Sequence, residues 1–123
     1  MGYTTYYKLD TMERDKKYAG KCKAVSYADF VCAMRELNLD EVFGCMDELE
    51  EEGGEGFIHM ECDEWIKWYE HDRDMLDISM KFPDTVFVLS GEGEENGDLW
   101  KTYYKNGVKQ DAPAIITYPE CTL

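Results

Sequence analysis

Oxygen-bearing side chains crowd the short stretch "GEGEENGD", residues 91 to 98, and raise the question of a calcium site. The candidate ligands are Glu92, Glu94, Glu95, Asn96 and Asp98. Calcium takes about six to eight oxygens, and the established binding loop places Asp or Asn at alternate positions with a bidentate Glu further along. That spacing is absent here, so we predict an acidic turn between two strands and no metal site.

Zinc is the second metal to consider, because cysteine and histidine are both present. The four candidate ligands are Cys45, His59, Cys62 and His71. Their spacing matches no zinc finger or knuckle, and His59 and Cys62 would project from opposite faces of one strand. The sequence therefore predicts no metal and no other cofactor.

Nucleophilic catalysis would require a cysteine or serine beside a base and a third, orienting group. The chain contains only two histidines and lacks the GxSxG, P-loop and GxGxxG motifs. The carboxylates are too numerous to single out a glycosidase pair. We therefore predict that the protein is not an enzyme.

The charge distribution is the most informative feature of the sequence. The net charge is −14, and residues 40 to 74 carry 14 Asp and Glu against 2 Lys and Arg. Such a field repels nucleic acid and anionic membranes and attracts basic protein surfaces. We predict a basic protein surface, or a protein–nucleic-acid complex, as the partner. The predicted contacts are Glu48, Glu51, Glu52, Glu55, Asp63, Glu64, Asp72 and Asp74, with Glu92, Glu94 and Glu95 as a second acidic patch.

An alternative function rests on the aromatic residues and the lysines. Nine tyrosines and three tryptophans could line a pocket, and Lys16, Lys17, Lys21 and Lys23 form a basic cluster. Together they could hold an anionic small molecule such as a nucleotide. The sequence leaves this alternative open.

Apolar periodicity predicts eight elements in the order βααβαβββ. The predicted bounds are a strand at 2–10, helices at 26–37 and 40–52, a strand at 57–62, a helix at 63–82, and a meander with strands near 86–89, 99–104 and 114–118. The helix starts are predicted from capping residues at Ser26, Asp40 and Asp63, and Pro83 ends the last helix. Asn106-Gly107 predicts a tight hairpin.

These elements predict one α+β domain over residues 1–123, with a mostly antiparallel sheet and helices on one face. The five cysteines are an odd number without a CxxC pair, and no apolar leader precedes the first strand. The longest apolar runs are far shorter than the roughly 20 residues that span a bilayer. We therefore expect a soluble protein with reduced thiols in the cytoplasm.

The segment "KFPDTVFVLSGEGEENGDLWKTYYKNG", Lys81 to Gly107, resembles the C-terminal part of small uncharacterised proteins carried by phages and plasmids. The shared features are a Phe-Pro-Asp turn after a helix, a Gly-Glu-Gly-Glu-Glu loop, Gly-Asp-x-Trp and a strand closing on Asn-Gly. The resemblance covers about a quarter of the chain. It implies a ferredoxin-like fold, a mobile-element source and inhibition of a host defence complex, as anti-CRISPR proteins and nucleic-acid mimics do. A structural phage protein is the other function that it allows.

Overall fold

A computed structural model describes the chain over residues 3–12, 22–44 and 46–123. Within these residues the protein is a small α+β domain with three helices and a five-stranded antiparallel sheet of order β4-β1-β5-β6-β7. The predicted fold class is confirmed, whereas a ferredoxin-like arrangement is not. The elements are β1 (Thr5–Thr11), β2 (Val25–Ser26), α1 (Tyr27–Glu36), α2 (Met46–Glu52), β3 (Glu55–Gly56), β4 (His59–Glu61), α3 (His71–Lys81), β5 (Phe87–Gly93), β6 (Leu99–Lys105) and β7 (Val108–Pro113).

The sheet has one covered face and one open face. On β1, alternate residues Thr5 to Thr11 are buried, and Leu9 lies opposite Leu89 of β5. Leu9, Leu89 and Met75 of α3 are fully buried members of one hydrophobic core. The open face carries the intervening residues of each strand, because successive side chains point to opposite sides. The predicted alternation of β1 is confirmed.

Helix α1 begins where the sequence predicts. The Ser26 hydroxyl accepts a hydrogen bond from the Asp29 amide at 3.4 Å, as an N-cap does. Phe30 and Met34, one turn apart, are fully buried beneath the helix. Asn38 ends the segment at φ 59°, and the Leu39 amide donates to Met34 O at 2.8 Å. This is a Schellman ending with asparagine at the left-handed position.

The second helix begins at Met46, so the prediction that Asp40 caps it is wrong. The Schellman ending of α1 carries the chain directly into a turn, in which the Val42 amide donates to Leu39 O at 3.1 Å. Leu39 and Phe43 are buried from this turn. Of the apolar residues that suggested a longer helix, Val42 and Phe43 therefore lie in the connection, whereas Met46 and Leu49 lie on α2.

The predicted helix over residues 63–82 is wrong in its first half, because α3 spans only His71–Lys81. The preceding residues instead run beside β1. Thr5 and Ile66 exchange two backbone hydrogen bonds, of 2.8 and 3.0 Å. Trp65 and Tyr69, assigned by periodicity to a buried stripe, are 44% and 67% exposed. The unpaired edge of β1 offers these residues backbone hydrogen bonds, and their aromatic side chains have only modest helix propensity. Pairing with β1 is therefore favoured over a helix.

The last strand lies earlier than predicted. Asn106 and Gly107, at φ 46° and 77°, form the predicted two-residue hairpin turn. Such a turn pairs the residues on either side of it at once, and Lys105 lies opposite Val108. Strand β7 therefore ends at Pro113, and residues 114–118 are not a strand. Ile115 and Tyr118 are exposed there.

Candidate binding surfaces

Four predicted contact residues form an acidic segment on α2 and β3. Glu48, Glu51, Glu52 and Glu55 are all exposed, and none of them has an ion pair with a described residue. The first three are three and four residues apart, so they share a face of the helix. The last turn of α2 contains no basic residue. Like charges at this spacing repel one another, and carboxylates near a helix C-terminus oppose its dipole.

Asp63 and Glu64 lie in the connection that follows β4, and both are exposed. The Asp63 carboxylate packs so close to Gly44 that a Cβ at residue 44 would approach its oxygen to 1.9 Å. Residue 44 lies two residues before Met46, so Asp63 lies near the N-terminal end of α2.

Asp72 and Asp74, two of the predicted partner contacts, both accept hydrogen bonds from other residues of the chain. The Asp72 carboxylate accepts hydrogen bonds from Tyr104 Oη at 2.6 Å and Lys109 Nζ at 3.0 Å. Burial acts to raise the pKa of Asp72, but these two hydrogen bonds outweigh it and hold the pKa below its ordinary value. Asp74 accepts from Trp68 Nε1 at 2.7 Å. Both carboxylates are structural.

The acidic loop between β5 and β6 fastens the N-terminal strand. The Glu94 carboxylate accepts hydrogen bonds from the amide and the hydroxyl of Thr4, which lower its pKa. Asp98 accepts from Tyr3 Oη. A Cβ at residue 93 would meet the Asp98 carboxylate at 1.9 Å and the Tyr3 hydroxyl at 2.2 Å. The close approach of these two groups to the backbone therefore requires Gly93. Glu94, one of the predicted partner contacts, therefore also holds Thr4 and the N-terminal strand in place.

The two other predicted contacts near this loop remain exposed. Glu92 lies on the open face of the sheet, opposite Tyr6 and Leu99 on the adjacent strands. Glu95 is exposed, and its amide donates to Tyr3 Oη at 3.1 Å. These carboxylates do not adjoin the acidic segment in sequence or share an element with it.

An aromatic pocket of about 470 Å³ opens at the N-terminal end of α3, against strands β1, β6 and β7. The Tyr7 ring lies nearly perpendicular to the Trp68 and Trp100 rings, with centroids 5.2 and 6.0 Å away. His71 stacks on Trp100 at 5.1 Å. We call the cavity lined by Tyr3, Tyr7, Trp68, Tyr69, His71 and Trp100 the aromatic pocket. The sequence left open a pocket lined by tyrosine and tryptophan, but periodicity wrongly placed Trp68 and Tyr69 on a helix.

Charged side chains surround this pocket. Its lining includes Asp72, Asp98, Asp111, Lys101 and Lys109. Lys109 Nζ lies 3.0 Å from Asp72 and 3.7 Å from Asp111, so its charge is shared between two carboxylates. Lys101 follows Trp100 on β6, and strand alternation directs its side chain to the open face. The carboxylates therefore outnumber the free cations at this site.

The open face of the sheet holds a second groove, of about 460 Å³. Its aromatic lining residues are Tyr6, Tyr103 and Trp100, and Lys8 and Lys101 provide its positive charges. Tyr6 Oη donates to Glu61 at 2.8 Å, and this hydrogen bond raises the pKa of Tyr6 to about 12. Tyr7 and Tyr104, on the opposite face of the same strands, lie in the core.

His59 on this face gives a pH-dependent contact. Its Nδ1 hydrogen-bonds the Asp10 carboxylate, which raises the pKa of the imidazole above its ordinary value. A raised folded-state pKa stabilises the protein at pH values below the unfolded pKa, and the stabilisation is lost as pH rises through the folded pKa. We expect stability to fall modestly above about pH 6.5. NMR titration of His59 should show a pKa that drops in Asp10→Asn. An unchanged pKa in that variant would contradict the assignment.

Of the four lysines predicted to hold an anionic small molecule, only Lys23 lies within the described residues. Lys16, Lys17 and Lys21 lie outside the described residues. Lys23 pairs with Asp84 at 3.7 Å on the surface. None of the residues lining the aromatic pocket comes from this cluster, as far as the structure describes the chain.

Within residues 3–12, 22–44 and 46–123, no group of three or more His, Cys, Asp or Glu could hold a metal ion. No helix over the same residues is long and apolar enough to cross a membrane. Comparison of the chain with protein-family models, with curated proteins and with solved structures found no match.

Proposed function

We propose that this protein is a non-enzymatic inhibitor from a phage or other mobile element that binds a basic surface of a host defence or nucleic-acid-processing protein. The observation that carries the proposal is the acidic segment, in which Glu48, Glu51, Glu52 and Glu55 are exposed without an ion pair to any described residue. The resemblance of residues 81–107 to phage and plasmid proteins supports the source. The bacterial cytoplasm would be its place of action.

The spacing of the carboxylates in the acidic segment destabilises the isolated protein. Repulsion between carboxylates three and four residues apart on a helix costs about 0.2–0.5 kcal/mol per pair. Glu51 and Glu52 also face the negative end of the helix dipole, without a lysine or arginine in the last turn to offset it. Arginines or lysines of a partner would relieve both penalties. The segment would then occupy the place of phosphates in a basic nucleic-acid channel.

Binding of an anionic nucleotide, the alternative, has weaker support. The aromatic pocket is large enough for a small molecule. Asp72, Asp98 and Asp111 around it, however, would repel a phosphate. The overall charge of −14 acts in the same direction.

Reversing two charges of the acidic segment should remove binding to a basic partner. We expect Glu51→Lys/Glu52→Lys to weaken binding of a fluorescent arginine-rich peptide by about tenfold or more at low salt, because close attractive pairs become repulsive. The difference should shrink at high salt through screening. Fluorescence anisotropy measures the affinity, and thermal melting should show a variant no less stable than the parent.

The control is Asp84→Lys/Glu120→Lys, which changes the net charge equally at two exposed sites outside the acidic segment and also breaks the surface pair of Asp84 with Lys23. It should retain most of the affinity. Equal losses in the two double variants would show that only net charge matters and would overturn the acidic segment as the contact surface.

A further inference from the structure

The inner wall of the aromatic pocket is a packed cluster of aromatic rings. Tyr7 packs edge-on against Trp68 and Trp100, at interplanar angles of 73° and 71°, and both Tyr7 and Trp68 are buried. Tyr69 and Tyr3 complete the rim and are 67% and 37% exposed. These two exposed rings border an open cavity of about 470 Å³, and the Tyr3 amide donates a hydrogen bond to Tyr69 Oη at 3.2 Å. Exposed aromatic rings attract organic cations to their negative faces.

The carboxylates around the pocket favour the same class of ligand. Asp98 and Asp111 both line it, and each accepts a hydrogen bond from a neutral hydroxyl, of Tyr3 and Thr102 respectively. A carboxylate has about four lone-pair positions, so Asp98 keeps acceptor capacity for a cation beside the Tyr3 hydroxyl, whereas Asp111 also has Lys109 Nζ at 3.7 Å. The nearby Lys109 is held between Asp72 and Asp111.

We propose that the aromatic pocket binds a guanidinium group, and specifically that of an arginine on the basic partner surface. The inference that the arginine belongs to a protein rests on the proposed function, whereas the guanidinium site does not. A guanidinium is planar, stacks on aromatic rings and donates two parallel hydrogen bonds to a carboxylate. A simple ammonium has neither the flat face nor the fork. Buried arginines beside aromatic rings are also common anchors of protein interfaces.

The three tryptophans provide an internal test by NMR. Trp68 and Trp100 line the pocket, whereas Trp65 packs near Tyr6, with ring centroids 6.2 Å apart, and is absent from the lining. On titration with N-acetyl-arginine methylamide we expect the indole N–H signals of Trp100 and Trp68 to shift and that of Trp65 to stay. The signals can be assigned with Trp65→Phe. The citrulline analogue, which is neutral and of the same shape, should cause no saturable shift.

Two variants locate the site without removing core residues. Asp98→Asn/Asp111→Asn keeps an acceptor for Tyr3 and Thr102 but removes two charges. We expect this variant to bind the arginine derivative about tenfold more weakly, since charge-assisted hydrogen bonds are about twice as strong as neutral ones. Tyr69→Ala removes an exposed ring and should also weaken binding. Glu92→Gln, a neutralisation on the open face, is the control and should have no effect.

A second titration, with an arginine-rich peptide, separates this inference from the proposed function. If the peptide binds through the acidic segment but Trp100 does not respond to either ligand, the guanidinium site is wrong and the proposed function stands. If the free derivative shifts Trp100 while the peptide binds no tighter and is insensitive to Glu51→Lys/Glu52→Lys, the site takes a free guanidinium compound and the proposed function fails. A shift with the citrulline analogue equal to that with arginine would overturn the site in either case.

Discussion

Replacing Tyr104 by alanine is expected to destabilise the protein by about 3–5 kcal/mol, the cost typical of removing a buried aromatic side chain. Tyr104 is fully buried on β6, in the row that also contains Phe87 and Thr11. Its hydroxyl reaches Asp72 of α3 at 2.6 Å and so joins the helix to the sheet. Such a loss is a large part of the roughly 5–15 kcal/mol that stabilises a domain. Urea unfolding followed by fluorescence measures it.

Tyr104→Phe separates the hydroxyl from the ring. Burial and the hydrogen bond to Asp72 both raise the pKa of Tyr104, so the hydroxyl stays protonated and donates. We expect the phenylalanine variant to lose about 1–2 kcal/mol, since Asp72 keeps Lys109 as a partner and is partly exposed. If Tyr104→Phe were as damaging as Tyr104→Ala, packing of the ring would not be the main contribution.

Gly91→Ala should have the second largest effect, because a Cβ there would meet the Trp100 indole at 2.2 Å. Gly91 and Trp100 lie opposite each other on β5 and β6. The ring must shift or the strands must separate, and overpacking of this kind costs about 1–3 kcal/mol. The displaced ring would also deform the aromatic pocket, so the Trp100 indole N–H signal should move. Ser90→Ala, the neighbouring residue on the open face, is the control.

The double variant Gly91→Ala/Trp100→Leu tests the cause. If the clash with the indole is responsible, the second substitution should restore part of the stability lost in Gly91→Ala, and the two effects will not add. Additive losses would mean that the glycine is needed for the backbone rather than for the approach of Trp100.

The sequence predicted those elements whose signals are local. Ser26 caps α1 because its hydroxyl meets an amide three residues ahead, and this geometry requires nothing from the rest of the chain. Asn106 and Gly107 form their turn because both tolerate positive φ. The alternation of Ile58, Met60 and Cys62, which are all buried, is a local signal of the same kind.

The failures occur where distant residues compete with local preference. Residues 63–70 have apolar spacing that suits a helix, but the free edge of β1 offers Ile66 two backbone hydrogen bonds. Residues 114–118 are rich in strand formers. The turn at 106–107, however, sets the register in which residues 108–113 pair with β6. Neither the edge nor the register can be read from the segment itself.

The predicted site residues show the same contrast between local signals and contacts with distant residues. Exposure of Glu51 and Glu52 followed from their place in a highly charged stretch, whereas the roles of Asp72 and Glu94 depend on Tyr104 and Thr4, which are distant in sequence. The glycines at 91 and 93 are a signal that was available. Glycine at alternate positions of a strand indicates close approach by neighbouring side chains, here Trp100 and Tyr3.

The most direct test of the proposed function is affinity capture from bacterial lysate with the parent protein, Glu51→Lys/Glu52→Lys and Asp84→Lys/Glu120→Lys as parallel baits, with and without double-stranded DNA as competitor. The proposal predicts that the parent and the Asp84→Lys/Glu120→Lys control retain the same nucleic-acid-binding or defence protein, that DNA or high salt releases it, and that the acidic-segment variant does not retain it. Equal capture by all three baits, or capture that DNA does not displace, would contradict an acidic surface that takes the place of nucleic acid.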